Sequence, residues 1–240
     1  MKLPPDITLL HLIAIALIAA AWSGYSTYLA IFGKGSLNAQ LSVVRRRWMD
    51  TSMNRELRMP DAVLLGHMIN SVAFFGSATL IVLAGLLGVA ANLKDVHRVV
   101  YDLPFARSTS LELFSFNLAV VGIILAVAFF LFTYALRKLI YTSAMLGGLP
   151  ENPPKGARRD GLVETTAIVL TEAVKSFNSG IRGYYFAVAA LVLFIGPGQS
   201  IATTLLVIIL LLWRQMSTRT ATAIGRYVEL LECDDDGNPK

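Results

Sequence analysis

Residues 184–213 read YYFAVAALVLFIGPGQSIATTLLVIILLLW. Taken whole, this stretch would make one long bilayer span, but Gly196-Pro197-Gly198 lies inside it. Proline removes a helix hydrogen bond and glycine weakens both flanks, so the triplet predicts a turn. The stretch then divides into one helix ending near Ile195 and a second from about Ser200 to Trp213. The first is short after Arg182 and must borrow length from the segment that begins near Leu162.

Three more apolar runs lie upstream. Ile7 to Phe32 follows Pro4 and Pro5, which suit a first helical turn. The second run begins near Pro60 and reaches about Ala91. The third begins near Glu112, where Thr109-x-x-Glu112 has capping-box spacing, and reaches about Leu139. A bilayer core takes about 20 helical residues, so all three are long enough. The expected fold is an all-α polytopic helical membrane protein with spans near 7–32, 60–91, 112–139, 180–195 and 200–213. They form one transmembrane domain over residues 1–216, followed by a cytoplasmic carboxy-terminal helix and tail over 217–240, frayed from Asp234 onward.

Basic residues choose between five spans and four. Lys34, Arg45, Arg46, Arg47, Arg55 and Arg58 fall between the first two spans. Arg137, Lys138, Lys155, Arg158, Arg159, Lys175 and Arg182 follow the third. Arg214, Arg219, Arg226 and Lys240 close the chain. Five spans put these groups on one face and leave Lys2, Lys94, Arg98 and Arg107 opposite. The positive-inside rule then places the amino terminus out and the carboxy terminus in, in a bacterial inner (plasma) membrane.

Composition agrees with lipid as the solvent. The 240 residues are 55% hydrophobic and 15% charged, with a mean hydropathy of +0.60; soluble domains carry about 25% charged residues. The net charge of +5 reports topology and anionic headgroups rather than nucleic acid. Cys233 is the single cysteine, which excludes an intramolecular disulfide. The first apolar run exceeds a signal-peptide core of about 7–15 residues and reads as a retained span.

Two segments between spans have helical stripes. In residues 36–53, Leu37, Leu41, Val44 and Trp48 recur beside Arg45, Arg46 and Arg47, the pattern of a helix lying at the headgroup level. These four residues, Arg45, Arg46, Arg47 and Trp48, are the candidate lipid-headgroup contacts, and an arginine of the run is expected to meet Glu164 or Glu172. In residues 162–177, Val163, Ala167, Leu170, Val174 and Phe177 form a second stripe. Residues 147–160, with Pro150, Pro153 and Pro154, are expected to connect as a loop.

No catalytic or metal motif is present. His11, His67 and His97 have no HxxxH partner, CxxC is missing, and so are a Walker loop, GxSxG and HExxH. The expectation is a protein that is not an enzyme and takes no cofactor. The densest polar feature is His67, Asn70, Ser71, Ser77 and Thr79 on the second span. His67, Asn70 and Ser71 share a face, expected to look into the bundle as hydrogen-bonded glue or as the wall of a polar path. Asn178-Ser179-Gly180-Ile181-Arg182-Gly183 is the second candidate. It is expected to break the helix at the membrane surface, with Asn178 and Arg182 at a cytoplasmic mouth, and Arg182 either snorkelling or paired with Glu172 or an acidic residue elsewhere. Phe130, Tyr134 and Arg137 form a stripe expected to pack. Gly85 and Gly88 suit close helix approach.

Four ordered motifs carry a resemblance. Arg45-Arg46-Arg47-Trp48 comes first, then Asn70-Ser71-x-x-Phe74-Phe75-x-Ser77-x-Thr79. Ala128-Phe129-Phe130-x-Phe132-Thr133-x-x-x-Arg137 follows, and last Phe177-Asn178-x-Gly180-x-Arg182-x-Tyr184-Tyr185-Phe186-Ala187. Together they resemble family of unknown function 599, multi-span membrane proteins of bacteria and plants, over about Ser36 to Arg219. The resemblance implies a membrane fold and assigns no activity. The chain departs from the family's Trp-Glu-x-Lys-like start to the third span, since Glu112 here is followed by Leu113-Phe114.

The function expected is a non-enzymatic integral membrane protein that self-associates or serves as an accessory subunit of a larger assembly. Its partners are membrane lipids, including anionic headgroups, and copies of itself, with no nucleic acid. The alternative is an oligomeric channel or transporter lined by the second span.

Overall fold

The structure is a computed structural model that describes residues 4–32, 36–102 and 109–233. Among these, eight α-helices and one 3₁₀ turn occur and no sheet. They are α1 (Leu9–Phe32), α2 (Leu37–Met53), α3 (Met59–Ala91), α4 (Leu93–Tyr101), α5 (Leu111–Gly147), α6 (Ala157–Leu191), α7 (Pro197–Met216) and α8 (Arg219–Glu232). The fold is all-helical, as expected. Lys2, Lys34, Arg107, Lys240 and the tail from Asp234 lie outside the described residues.

Four stretches are long and apolar enough to cross a membrane: Met59–Ala91, Leu111–Gly147, Ala157–Phe194 and Pro197–Glu232. A shorter apolar helix, Leu9–Tyr25, precedes them. The break at Gly196-Pro197-Gly198 is present. The 3₁₀ turn Val192–Phe194 tightens the end of α6, and Pro197 opens α7.

Two expectations about helix extent need correction. The helix of the third span does not stop near Leu139, because α5 runs on for about two further turns to Gly147. Nor does the chain break at Asn178–Gly183, since α6 passes through them as one helix of 35 residues. The 162–177 stripe is the first half of that helix. The start of α5 also differs. Ser110, not Thr109, accepts from the Leu113 amide (3.0 Å), and the Thr109 carbonyl accepts from His97 Nε2 instead (2.8 Å).

The chain divides into two compact units that share its long helices. Unit 1 comprises residues 1–27, 74–132 and 178–210. Its core includes Ala14, Val121, Leu125, Ala128, Phe132, Phe186, Ala189 and Leu193. Lys94, Arg98 and Arg182 are its only Lys or Arg among the described residues.

Unit 2 comprises residues 28–73, 133–177 and 211–240 and holds the other described Lys and Arg residues. Its core includes Met49, Met53, Leu65, Leu139, Val163 and Leu170. Ser36 caps α2, accepting from Ala39 N (3.4 Å). Thr218 caps α8 in the same way. α8 packs on α2, where Gly225 leaves room for the side chain of Gln40.

Candidate functional site

In unit 1, residues from three of the four motifs converge. Phe75 of α3 stacks on Phe132 of α5 with centroids 5.9 Å apart. Tyr184 of α6 lies 5.7 Å from Phe132 and 6.1 Å from Phe75. The Tyr184 hydroxyl bonds Thr79 Oγ1 at 2.5 Å and donates to the Phe75 carbonyl at 3.1 Å. Tyr184 therefore ties α6 to α3 through groups that hydrocarbon would leave unsatisfied.

The glycines expected to break α6 instead let α5 and α1 close on it. A Cβ at Gly180 would stand 2.6 Å from Phe132 Cε1. One at Gly183 would stand 2.8 Å from Ala128 Cβ and 3.0 Å from the Trp22 indole. Trp22 Nε1 donates to the Ser179 carbonyl at 3.1 Å, so α1 is fastened where the glycines admit it. Only the missing side chains make this approach possible.

Arg182 is buried, at 7% exposure. Its guanidinium carbon sits 4.8 Å above the centre of the Tyr25 ring, and Nη2 donates to Ser179 Oγ at 2.6 Å. A face-on aromatic ring attracts a desolvated cation. Arg182 thus neither snorkels nor marks a broken mouth. Glu172, its expected partner, meets Lys175 at 2.7 Å.

The polar face of α3 does not look inward. His67, Asn70, Ser71 and Ser77 are all exposed, as is Phe74. Only Asp61, Leu65, Val72 and Thr79 of this helix are buried. The stripe Phe130, Tyr134 and Arg137 is likewise exposed, with the Phe130 ring 5.6 Å from that of its neighbour Phe129. Gly85 and Gly88 make no close approach: among the described residues, a Cβ on either would find no atom within 4 Å.

Unit 2 holds a buried carboxylate that sequence reasoning missed. Asp61, in the first turn of α3, is 0% exposed. It accepts from Trp48 Nε1 at 2.7 Å and Ser52 Oγ at 3.0 Å, and pairs with Arg55. An acid immediately after Pro60 at a helix start was the available signal. Two further arginines fasten the connections. Arg58 donates to the Leu146 carbonyl in the last turn of α5 (3.4 Å), where helix carbonyls lack partners, and to the Leu149 and Pro150 carbonyls beyond it. Arg159 reaches Asp50 (2.7 Å) and Asn54 (3.1 Å) from α6.

The arginine run divides in direction. Arg45 turns inward and donates from Nε to Thr171 Oγ1 at 3.0 Å; desolvation pushes its pKa down to about 10. Arg46 meets Glu164 at 2.9 Å, and Arg47 meets Asp50 at 3.3 Å. Trp48 is held by Asp61. Between α2, α6 and α8 lies an open cavity of about 290 Å³, lined by Arg46, Arg47, Asp50, Asp160, Val163 and Glu232 among others. No cluster of three metal-capable side chains occurs among the described residues.

No curated protein and no solved structure matches this chain. A family profile, however, matches residues 13–220, a span that holds all four motifs and both sets of contacts just described. The chain belongs to the family described as "Protein of unknown function, DUF599".

Proposed function

We propose that this is a non-enzymatic integral membrane protein that self-associates or acts as an accessory subunit of a larger membrane assembly. One observation carries the reading. The residues of the family motifs in unit 1 are spent on locking helices together, while the polar residues of α3 face outward. Gly180, Gly183, Phe132, Tyr184 and Thr79 make contacts that hold α1, α3, α5 and α6. They form no arrangement of nucleophile, base and oxyanion donors. Polar side chains that face hydrocarbon instead of their own bundle are supported by contact with another helix.

In this reading the basic segments between the first two spans, after the third span and after Trp213 lie on the cytoplasmic side of a bacterial inner membrane, with the amino terminus out. There Arg46 and Arg47, ion-paired to Glu164 and Asp50 but with 60% and 53% of their side-chain surface exposed, are the members of the run that would meet anionic headgroups. Neither a cofactor nor nucleic acid enters the proposal.

Native mass spectrometry from mild detergent or nanodiscs tests it. The expected result is a discrete oligomer or a complex with another membrane protein; a stable monomer alone contradicts the proposal. One observation favours the channel as a second reading. Because His67, Asn70 and Ser71 look outward, a polar path along them would be enclosed by several copies. Flux above that of empty vesicles, abolished by Asn70→Leu, would support that reading, and its absence across several pH values would remove it.

A further inference from the structure

Asn117 is a fully buried polar side chain on an apolar helix. It lies in α5, one of the four stretches apolar enough to cross a membrane, and is 1% exposed. Its buried neighbours along that helix are Leu113, Phe114 and Val121. Among the described residues, neither Nδ2 nor Oδ1 of Asn117 has a hydrogen-bond partner. The chain itself covers the side chain, so bulk water and lipid do not reach it. A buried amide without partners is costly, and folded chains supply them from protein or from bound water.

Two contacts fix where the amide stands along α6. The two helices run antiparallel: Phe114 meets Phe194 with ring centroids 4.9 Å apart, and further along α5, Ala128 meets Gly183. Between these pairs, Asn117 comes level with residues 191–194. Its direction agrees. Asn117 precedes Ala128 by eleven residues, which at about 100° each returns to within about 20° of the same side of the helix. That is the side that meets α6.

At this level α6 has an unmet acceptor of its own. Gly196 N donates to the Val192 carbonyl at 3.1 Å. In a continuing helix the next amide would serve Leu193, but position 197 is proline and has no N–H. Among the described residues nothing donates to the Leu193 carbonyl, and Leu193 is 1% exposed. An unmet amide on α5 and an unmet carbonyl on α6 thus come level, both shielded, where the α6 ladder ends.

We infer that α5 and α6 hold bound water that joins the Asn117 amide to the Leu193 carbonyl. The class of ligand follows from the groups to be met. Nδ2 needs an acceptor, while Oδ1 and the Leu193 carbonyl need donors. Water is the smallest molecule that does both, and these partners suffice, since a buried water makes about three hydrogen bonds. It fastens the end of α6 to α5, as Tyr184 fastens the same helix to α3. A hydroxyl on a larger molecule has the same chemistry, and the test separates the two.

The parent protein is read first, by nuclear magnetic resonance of a ¹⁵N-labelled sample in nanodiscs. The Asn117 side-chain amide should show a direct cross peak to long-lived water. A cross peak to a co-purified molecule instead overturns water as the occupant, and no cross peak to either overturns the site. Stability gives a second reading. Were the amide merely unmet, replacing it with leucine, of similar shape, would raise the melting temperature. With water bound, Asn117→Leu strands the Leu193 carbonyl, and the melting temperature should fall by about 2–4 °C. Asn117→Ser, which keeps a hydroxyl, should recover part of that fall. A higher melting temperature in Asn117→Leu overturns the proposal.

Discussion

At the scale of single residues, the contacts of unit 1 turn on atoms that are missing. Gly180 has no room for a methyl, because the Phe132 ring it would strike is itself 1% exposed and cannot retreat. Gly180→Ala should therefore cost about 1–3 kcal/mol, the usual range for overpacking. Gly122→Ala, where a Cβ meets nothing within 4 Å, should leave stability unchanged or raised. Thermal unfolding in one detergent separates them, and equal melting temperatures would refute the close approach. Asp61 is the residue-scale anchor of unit 2. Asp61→Ala leaves the Trp48 and Ser52 donors without their acceptor and Arg55 without its partner, and should cost about 3 kcal/mol, the lower end for a broken buried pair because Arg55 is part-exposed. A chemical melt unchanged from the parent would show that the carboxylate contributes nothing. The sequence showed that Asp61 sits at a helix start. It did not show that Trp48, from the preceding helix, would fold back onto it.

Elements show where periodicity is informative and where it misleads. α2 was readable from its stripe of Leu37, Leu41, Val44 and Trp48, and the break before α7 because proline acts locally: Pro197 ends the hydrogen-bond ladder wherever it stands. The continuity of α6 was not readable. Asn178, Gly180 and Gly183 have weak helix propensity, and only the partners Phe132, Ala128 and Trp22 hold them in a helix. The start of α5 supplies a pH-dependent contact. Asp6 accepts from the Ser110 amide at 2.7 Å and from its hydroxyl. Desolvation raises the Asp6 pKa, but the hydrogen bonds from Ser110 outweigh it, so the net shift is below the ordinary 3.8. A depressed carboxylate stabilises the folded state above its ordinary value and loses that contribution as pH falls through the lowered one. The protection factor of the Ser110 amide, with the intrinsic pH dependence of exchange divided out, should therefore fall below about pH 4 in the parent, while in Asp6→Asn it should not change over that window. The same acid response in both would remove Asp6 as its cause.

For the whole molecule, orientation is the prediction with the widest reach. Among the described residues, unit 1 carries Lys94, Arg98 and Arg182 as its only Lys or Arg, and Arg182 is buried. Translocation retains basic loops on the cytoplasmic side. A membrane-impermeant maleimide should label Lys94→Cys, in a Cys233→Ser background, from outside intact cells. It should label native Cys233 only after permeabilisation. Labelling of Cys233 from outside would invert the topology or change the number of crossings. Membership of the family, the helical class and the apolar stretches were all legible from sequence, because the cost of exposing backbone to hydrocarbon leaves helices as the economical solution. Which way each helix turns was not. His67, Asn70 and Ser71 share a face by spacing alone, yet spacing does not say whether that face meets the bundle or leaves it. The answer lies with Asp61, Leu65, Val72 and Thr79, which occupy the other side of α3. Periodicity ranks residues on one helix against each other, and only the neighbouring helices determine which rank is buried.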